Sequence, residues 1–293
     1  MRMSAVILQM LIMGFLLSSV ELRAELSQTA FADAFKRFYG DSQLLPNEEN
    51  REKHKDTVFV LVKGFGGDEQ PVSYFYLLPL KKEIERLTQS VGETDPKKKR
   101  VFVNIAPRHG KSELISYLAP AWFLGKYPHK KVIMASHTAD LAVNFGRRVR
   151  NLVGSGSYKD IFPQVELQAD SKSASRWGTN FNGEYFAIGV GGALAGRGAD
   201  LFIIDDPHSE QDAKLGRPDV FKPAWEWFQS GPIQRLMPGG AIIVVMTRWS
   251  KLDLTGQIVN QMIKTEGVDD WEVVEFPAII EDKEGNEASL WPE

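Results

Sequence analysis

Residues 101–112 combine a strand-like run with a turn that could hold a polyphosphate. The apolar run 101–105 leads into a turn ending in Gly110, Lys111 and Ser112, and a helix is predicted to begin near Glu113. Backbone N–H groups of such a turn, together with the helix start, can surround phosphate oxygens. Lys111 would then reach the β- and γ-phosphates of a nucleotide, and the Ser112 hydroxyl would be a magnesium ligand. The first glycine of the usual G-x-x-x-x-G-K-[ST] pattern is isoleucine here, so chance occurrence of Gly-Lys-Ser is the alternative interpretation.

A second motif places two carboxylates directly after a buried strand. The apolar run 201–204 is followed by Asp205 and Asp206, and ligands of α/β proteins bind at the carboxyl ends of such strands. Asp205 could hold magnesium, and Asp206 could orient and polarise an attacking water molecule. Two buried like charges are costly without a cation. The alternative is that both aspartates cap the next helix or turn.

A single arginine lies in the glycine-rich stretch 189–200, just before the second motif. Arg197 is flanked by glycines and could stabilise the charge that develops on a γ-phosphate, in its own site or in that of a neighbouring subunit. Alternatively, Arg197 forms an ion pair with Asp200 in a flexible turn.

A third motif begins where the apolar run 241–246 meets Thr247. A hydroxyl at the tip of this strand, beside the two carboxylates, could sense whether a γ-phosphate is present. Alternatively, Thr247 only ends the strand and Trp249 belongs to the core.

Short apolar runs that alternate with helical stretches must position these residues. This alternation predicts an α/β fold in which helices cover both faces of a mainly parallel sheet. Residues 1–73 are predicted to form a separate helical and accessory region, with a helix over 21–40 and a strand over 57–62. The predicted strands of the second region, 74–293, are 101–105, 131–135, 185–190, 201–204 and 241–246.

The composition is that of a globular protein. The chain has 293 residues, of which 43% are hydrophobic and 25% charged, and its net charge is −3. This charge gives no global electrostatic case for nucleic acid, so any DNA contact must come from local clusters, 97–100 or 147–150, which could equally be solvated faces. The absence of cysteine excludes disulfides, thiolate metal sites and a cysteine nucleophile. The apolar run 5–20 is interpreted as a buried helix or a misassigned start, with a targeting segment as the alternative.

Taken in order, these motifs resemble those of the large terminase subunits of tailed bacteriophages. The resemblance covers roughly residues 74–293, and four ordered motifs are far more specific than any one of them. The segments that carry it are 107–113, 135–142, 191–207, 247–249 and 253–254.

The resemblance implies a RecA-like P-loop ATPase domain of the ASCE type, which uses ATP and Mg²⁺. It assigns Asp205 to the Walker B metal site, Asp206 to catalysis and Thr247 to the coupling motif, and it makes Arg108 and Arg197 candidates for contact with the γ-phosphate. We favour Arg197 as the arginine that acts across subunits. The Walker A loop would consist of Pro107, Arg108, His109, Gly110, Lys111 and Ser112.

The same resemblance implies a subunit of a DNA-packaging motor. Its expected partners are double-stranded DNA, the portal protein and the small terminase subunit, and a homo-oligomeric ring is expected when it is assembled. The expected location is the host cytoplasm, transiently at the procapsid portal. The nuclease domain of the family would follow Glu293, so we expect a motor module without DNA-cutting activity, from a split gene or a truncation. Alternatives are a helicase-like P-loop motor, or an inactive remnant that binds portal or small subunit.

Overall fold

The computed structural model describes residues 100–108, 110–170, 173–215, 217–265, 271–276, 279–281 and 287–289. The predicted N-terminal region 1–73, with its helix, its strand and the apolar run 5–20, lies outside the described residues. His109 also lies outside them.

A seven-stranded sheet forms the centre of the described part. Its order is β3-β4-β2-β5-β6-β1-β7, and every strand is parallel to its neighbours except β3, which is antiparallel to β4. The strands are β1 (Arg100–Ile105), β2 (Lys131–Ser136), β3 (Arg176–Gly178), β4 (Glu184–Gly189), β5 (Ala199–Asp205), β6 (Leu236–Met246) and β7 (Glu272–Phe276). The expected α/β class with a mainly parallel sheet is therefore confirmed.

All five predicted strands are present, as β1, β2, β4, β5 and β6. Each is rich in β-branched and apolar residues because both faces of a parallel sheet are covered. Strands β3 and β7 were not predicted. β3 has only three residues, and β7 is an edge strand whose sequence EVVEF has no continuous apolar run.

Strand β6 lies between the strand that leads into the phosphate loop and the strand that ends in the two aspartates. In the register of the sheet, Val245 of β6 pairs with Val103 of β1 on one side and with Asp205 of β5 on the other. The carboxyl ends of the three strands therefore lie at one level, which places three motifs of distant sequence side by side.

The helices connect the strands. A π-helical segment, π1 (Glu113–Leu118), continues directly into α1 (Ala119–Lys126). The remaining helices are α2 (Ala139–Val153), α3 (Gly156–Lys159), α4 (Glu210–Leu215), α5 (Lys222–Ser230) and α6 (Leu254–Lys264), with 3₁₀ turns at Pro218–Val220 and Pro232–Arg235. Strands β8 (Ile279–Glu281) and β9 (Glu287–Ser289) form a separate antiparallel pair.

Helices cover both faces of the sheet. On one face, Phe202 and Val244 belong to a buried cluster with Trp227 of α5 and Ile258 of α6. On the other face, Gly146 of α2 lies so close to Tyr185 that an added Cβ would be 3.1 Å from the tyrosine ring. Burial of each large apolar side chain contributes about 1.5–3 kcal/mol, so this double covering stabilises the sheet on which the site is built.

Two helices begin at side-chain caps that lie near the carboxyl edge of the sheet. The Thr138 hydroxyl accepts a hydrogen bond from the backbone N–H of Leu141 at the start of α2, at 3.3 Å. The Asp253 carboxylate accepts one from the N–H of Gly256 at the start of α6, at 2.9 Å. None of the described helices is long and apolar enough to span a membrane.

Candidate nucleotide-binding site

The phosphate loop is the turn between β1 and π1. Its backbone enters the left-handed region at Arg108, where φ is 64°, and at Gly110, where φ is 75°. Glycine tolerates this conformation, but at Arg108 it costs on the order of 1–3 kcal/mol and is retained only where the surroundings impose it. The N–H of Leu114 donates to the carbonyl of Gly110 at 3.1 Å and so begins the helix. Pro107 and Arg108 are exposed on this loop.

Lys111 connects the loop to the second motif. Its side chain is only 8% exposed, and its Nζ lies 2.9 Å from Oδ2 of Asp206. A buried ammonium group needs a compensating charge, and Asp206 supplies it here. The ion pair therefore brings Lys111 and Asp206, which are far apart in sequence, into direct contact.

Asp205 is held by two hydroxyl groups of the helix that follows the phosphate loop. The Oγ of Ser112 donates to Oδ1 at 3.1 Å, and the Oγ of Ser116 donates to Oδ2 at 2.7 Å. Among the contacts described, both carboxylate oxygens of Asp205 accept from side-chain hydroxyls. Sequence reasoning missed Ser116, although its spacing of four residues from Ser112 on a predicted helix indicates that both face the same side.

Burial raises the pKa of Asp205 to about 6, and the neighbouring charge of Asp206 acts in the same direction. The hydroxyls of Ser116 and Ser112 and the ammonium of Lys111 lower this pKa but do not cancel the effect. The ionised carboxylate is therefore short of positive charge in this environment. Magnesium prefers oxygen ligands, and the adjacent Ser112 hydroxyl and Asp205 carboxylate fit that preference.

Asp206 has a strained backbone and a carboxylate that is partly accessible. Its φ is 41°, and its N–H donates to the carbonyl of Val245 at 2.9 Å. Oδ1 accepts a hydrogen bond from the N–H of Thr247 at 3.0 Å, while the Thr247 hydroxyl donates to the carbonyl of Ile105 at 3.2 Å. Thr247 thus joins the ends of β1, β5 and β6. Trp249, the alternative core residue, is 36% exposed.

The structure does not bring Arg197 to these residues within its own chain. Its Nη1 lies 3.1 Å from Oε1 of Glu184, the first residue of β4, and its guanidinium is 3.7 Å from the centre of the Phe186 ring. Arg197 therefore lies at the amino edge of the sheet, whereas the two aspartates lie at the carboxyl edge. The alternative partner, Asp200, is paired with Lys130 at 3.0 Å, so the predicted Arg197–Asp200 pair does not form.

Residues 103–292 match the family described as "Terminase large subunit, T4likevirus-type, N-terminal". The match covers more than half of the chain, and the chain belongs to this family. No curated protein matches it.

Among solved structures, the chain is similar to the large terminase of bacteriophage HK97, with 16% identity and a TM-score of 0.42 over 67% of this chain and 44% of that one. The large terminase of a thermophilic bacteriophage, in complex with ATP-gamma-S, gives 12% identity and a TM-score of 0.41 over 67% and 44%. The ATPase domain of the large terminase of Thermus phage P74-26 gives 16% identity and a TM-score of 0.35 over 64% and 79%. The chain spans less than half the length of the first two of these proteins.

Proposed function

We propose that this chain is an ATP-hydrolysing subunit of a phage DNA-packaging motor, which couples hydrolysis to the movement of double-stranded DNA into a procapsid. The proposal rests on two contacts between the phosphate loop and the aspartates at the carboxyl edge of the sheet. There Lys111 meets Asp206, and Ser112 meets Asp205, at 2.9 and 3.1 Å. Membership of the terminase large-subunit family supports the same function.

The residues of the phosphate loop bind the polyphosphate. Lys111 exchanges its partner Asp206 for the β- and γ-phosphates, because a buried ammonium requires a negative partner in either state. The backbone around Gly110 and the start of π1 provide N–H donors for phosphate oxygens. Ser112 and Asp205 would hold Mg²⁺, which would neutralise phosphate charge.

Asp206 is the catalytic carboxylate. Once Lys111 has turned to the phosphates, Oδ2 of Asp206 is free to accept a proton or a hydrogen bond from the attacking water. Oδ1 stays on the N–H of Thr247, which keeps the carboxylate in a fixed orientation.

Thr247 passes the state of Asp206 to α6. Three residues after Thr247, the N–H of Ser250 donates to Oδ2 of Asp253 at 3.0 Å, and the same oxygen lies 3.1 Å from Nε of Arg248. Asp253 is fully buried and caps α6. A displacement of Asp206 on loss of the γ-phosphate would therefore move a hydrogen-bonded segment that ends at a helix.

Two arginines are candidates for charge stabilisation at the γ-phosphate. Arg108 is exposed on the phosphate loop itself. Arg197 lies at the opposite edge of the sheet, so its role requires a neighbouring subunit of a homo-oligomeric ring. Portal protein, small terminase subunit and double-stranded DNA are the proposed partners, at the portal in the host cytoplasm. We expect no DNA cleavage by this chain.

Phosphate release by the purified chain, with and without duplex DNA, tests the proposal directly. We expect magnesium-dependent ATP hydrolysis that increases with duplex DNA and with assembly. Lys111→Ala serves as the matched inactive protein. A folded wild-type chain that neither binds nor hydrolyses ATP would exclude the proposed function, and plasmid cleavage that survives Lys111→Ala would exclude the part that concerns DNA cutting.

A further inference from the structure

Arg148 of α2 contacts the helix that follows the phosphate loop at two points. Its Nη2 donates to both carboxylate oxygens of Glu113, at 2.7 and 2.6 Å. Its guanidinium carbon lies 4.2 Å from the centre of the Tyr117 ring, four residues further along the same helix. Arg148 therefore binds π1 through a charge contact at its first residue and a ring contact about one turn further on.

The negative charge of Glu113 would disfavour phosphate binding nearby unless it is compensated. It directly follows Ser112 and is the first residue of π1, whose amino end would face the polyphosphate. A free carboxylate there would repel phosphate and compete for the positive end of the helix. The ion pair with Arg148 holds the carboxylate on α2 and compensates its charge.

The exposure of the pair indicates that folding is not its main role. The side chains of Arg148 and Glu113 are 44% and 28% exposed, and ion pairs of this kind add little to stability in water. The pair can still influence the phosphate loop, because Glu113 directly follows Ser112, the proposed magnesium ligand. A small displacement of Glu113 would move Ser112 with it.

The segment that leads into α2 is also bonded to the second motif. The N–H of His137, the residue before the Thr138 cap, donates to the carbonyl of Asp206 at 3.3 Å. The segment before α2 therefore contacts Asp206, and Arg148 of α2 contacts Glu113, so one stretch of chain is bonded to both motifs.

We infer that Arg148 is a positioning residue for nucleotide binding, which acts through Glu113 to hold the phosphate loop on α2. The inference rests on the proposed ATPase function. The inference gives Arg148 a different role from that of Arg147, its neighbour in the basic cluster 147–150. Among the contacts described, Arg147 donates a hydrogen bond to Asn144 at 3.1 Å.

Titration with a fluorescent ATP analogue and steady-state phosphate release test this inference. Arg148→Ala should weaken nucleotide binding and raise KM about tenfold, while kcat changes less than about threefold. Adding Glu113→Gln to Arg148→Ala should restore binding, because the uncompensated carboxylate is removed. Arg148→Lys keeps the charge but loses the planar contact with Tyr117, so its KM should lie between those of the wild type and Arg148→Ala.

Lys159→Ala is the matched control, because it breaks an exposed ion pair with Glu166 of similar length, 3.0 Å, and should change neither constant. The unfolding temperatures of all variants should lie close to that of the wild type. If Arg148→Ala unfolds early, Arg148→Lys takes its place in the comparison. The inference is overturned if the Arg148 variants bind nucleotide with normal affinity. It is also overturned if the double variant binds nucleotide no more tightly than Arg148→Ala. In both cases the proposed ATPase function stands. A wild-type chain that binds no nucleotide overturns both.

Discussion

The two edges of the seven-stranded sheet differ in the balance of their charges. At the carboxyl edge, Asp205 and Asp206 share one ammonium group, that of Lys111, and the side chains of Lys111 and Asp205 are almost fully buried. At the amino edge, around the starts of β2, β4 and β5, cations outnumber carboxylates and several are well exposed. The residues there are Lys130, Lys131, Arg176, Arg197, Glu184 and Asp200.

Position relative to the proposed nucleotide site decides which edge is sensitive in activity, because both edges contain a largely buried ion pair: the side chains of Lys111 and Asp206 are 8% and 29% exposed, and those of Lys130 and Asp200 are 23% and 9% exposed. Removing one partner of either pair leaves a largely buried charge uncompensated and lowers stability by up to several kcal/mol. Substitution of the same residue types should therefore have large effects on ATP binding and hydrolysis at the carboxyl edge and small ones at the amino edge. Matched substitutions at the two edges test this difference.

The largest effect is expected for Lys111→Ala, because it removes the cation that faces both Asp206 and the β- and γ-phosphates. ATP turnover should fall by on the order of 10²–10³-fold or more, as measured by phosphate release. Lys130→Ala removes the same kind of side chain at the amino edge, where its partner is Asp200. It should lower stability but leave the nucleotide affinity of the folded protein unchanged. Full ATPase activity in Lys111→Ala would disprove the phosphate-loop assignment.

Asp206→Asn should separate binding from chemistry, since it keeps the shape of the side chain but removes the charge that we propose polarises water. ATP should still bind, while hydrolysis falls by about 10²-fold or more. Equilibrium binding and single-turnover hydrolysis give the two quantities, with Asp200→Asn as the control at the other edge. Weak binding combined with normal turnover of bound ATP would instead identify Asp206 as a metal ligand.

Ser116→Ala should have a smaller effect, because it deletes one of two hydroxyl donors to Asp205. A hydrogen bond to a charged group contributes about 1.5–3 kcal/mol, so about tenfold more Mg²⁺ should be needed for half-maximal ATPase activity. Ser116→Thr retains a hydroxyl and should recover much of the wild-type requirement. An unchanged magnesium dependence in folded Ser116→Ala would contradict this role.

Arg197→Ala should have the smallest effect on an isolated chain, since Arg197 lies at the amino edge. Nucleotide affinity should change less than about twofold, because the described contacts of Arg197, with Glu184 and Phe186, lie away from the proposed nucleotide site. If the arginine acts across subunits, mixing Arg197→Ala with Lys111→Ala should restore ATPase activity in the assembled protein, because an intact site then meets an intact arginine. Mixtures without recovery would count against a role between subunits.

The fold class followed from local patterns. Runs such as 201–204 and 241–246 are long, apolar and β-branched because these strands are covered on both faces, and their alternation with helices predicts a parallel sheet. Strand β7 escaped prediction because it is short and lies at the sheet edge. The assigned catalytic and metal-binding roles stay predictions, although the structure brings Lys111, Ser112 and Asp205 together.

The sequence by itself determined the residue types of the phosphate loop and the position of Asp205 and Asp206 after a strand, since both depend on neighbours along the chain. Tertiary structure alone decided which of these groups meet. It paired Lys111 with Asp206, placed Ser116 on Asp205 and directed Arg148 to Glu113. It also put Arg197 at the edge opposite the aspartates. These contacts depend on strand order and on the direction of each helix across the sheet, and no local pattern contains that information.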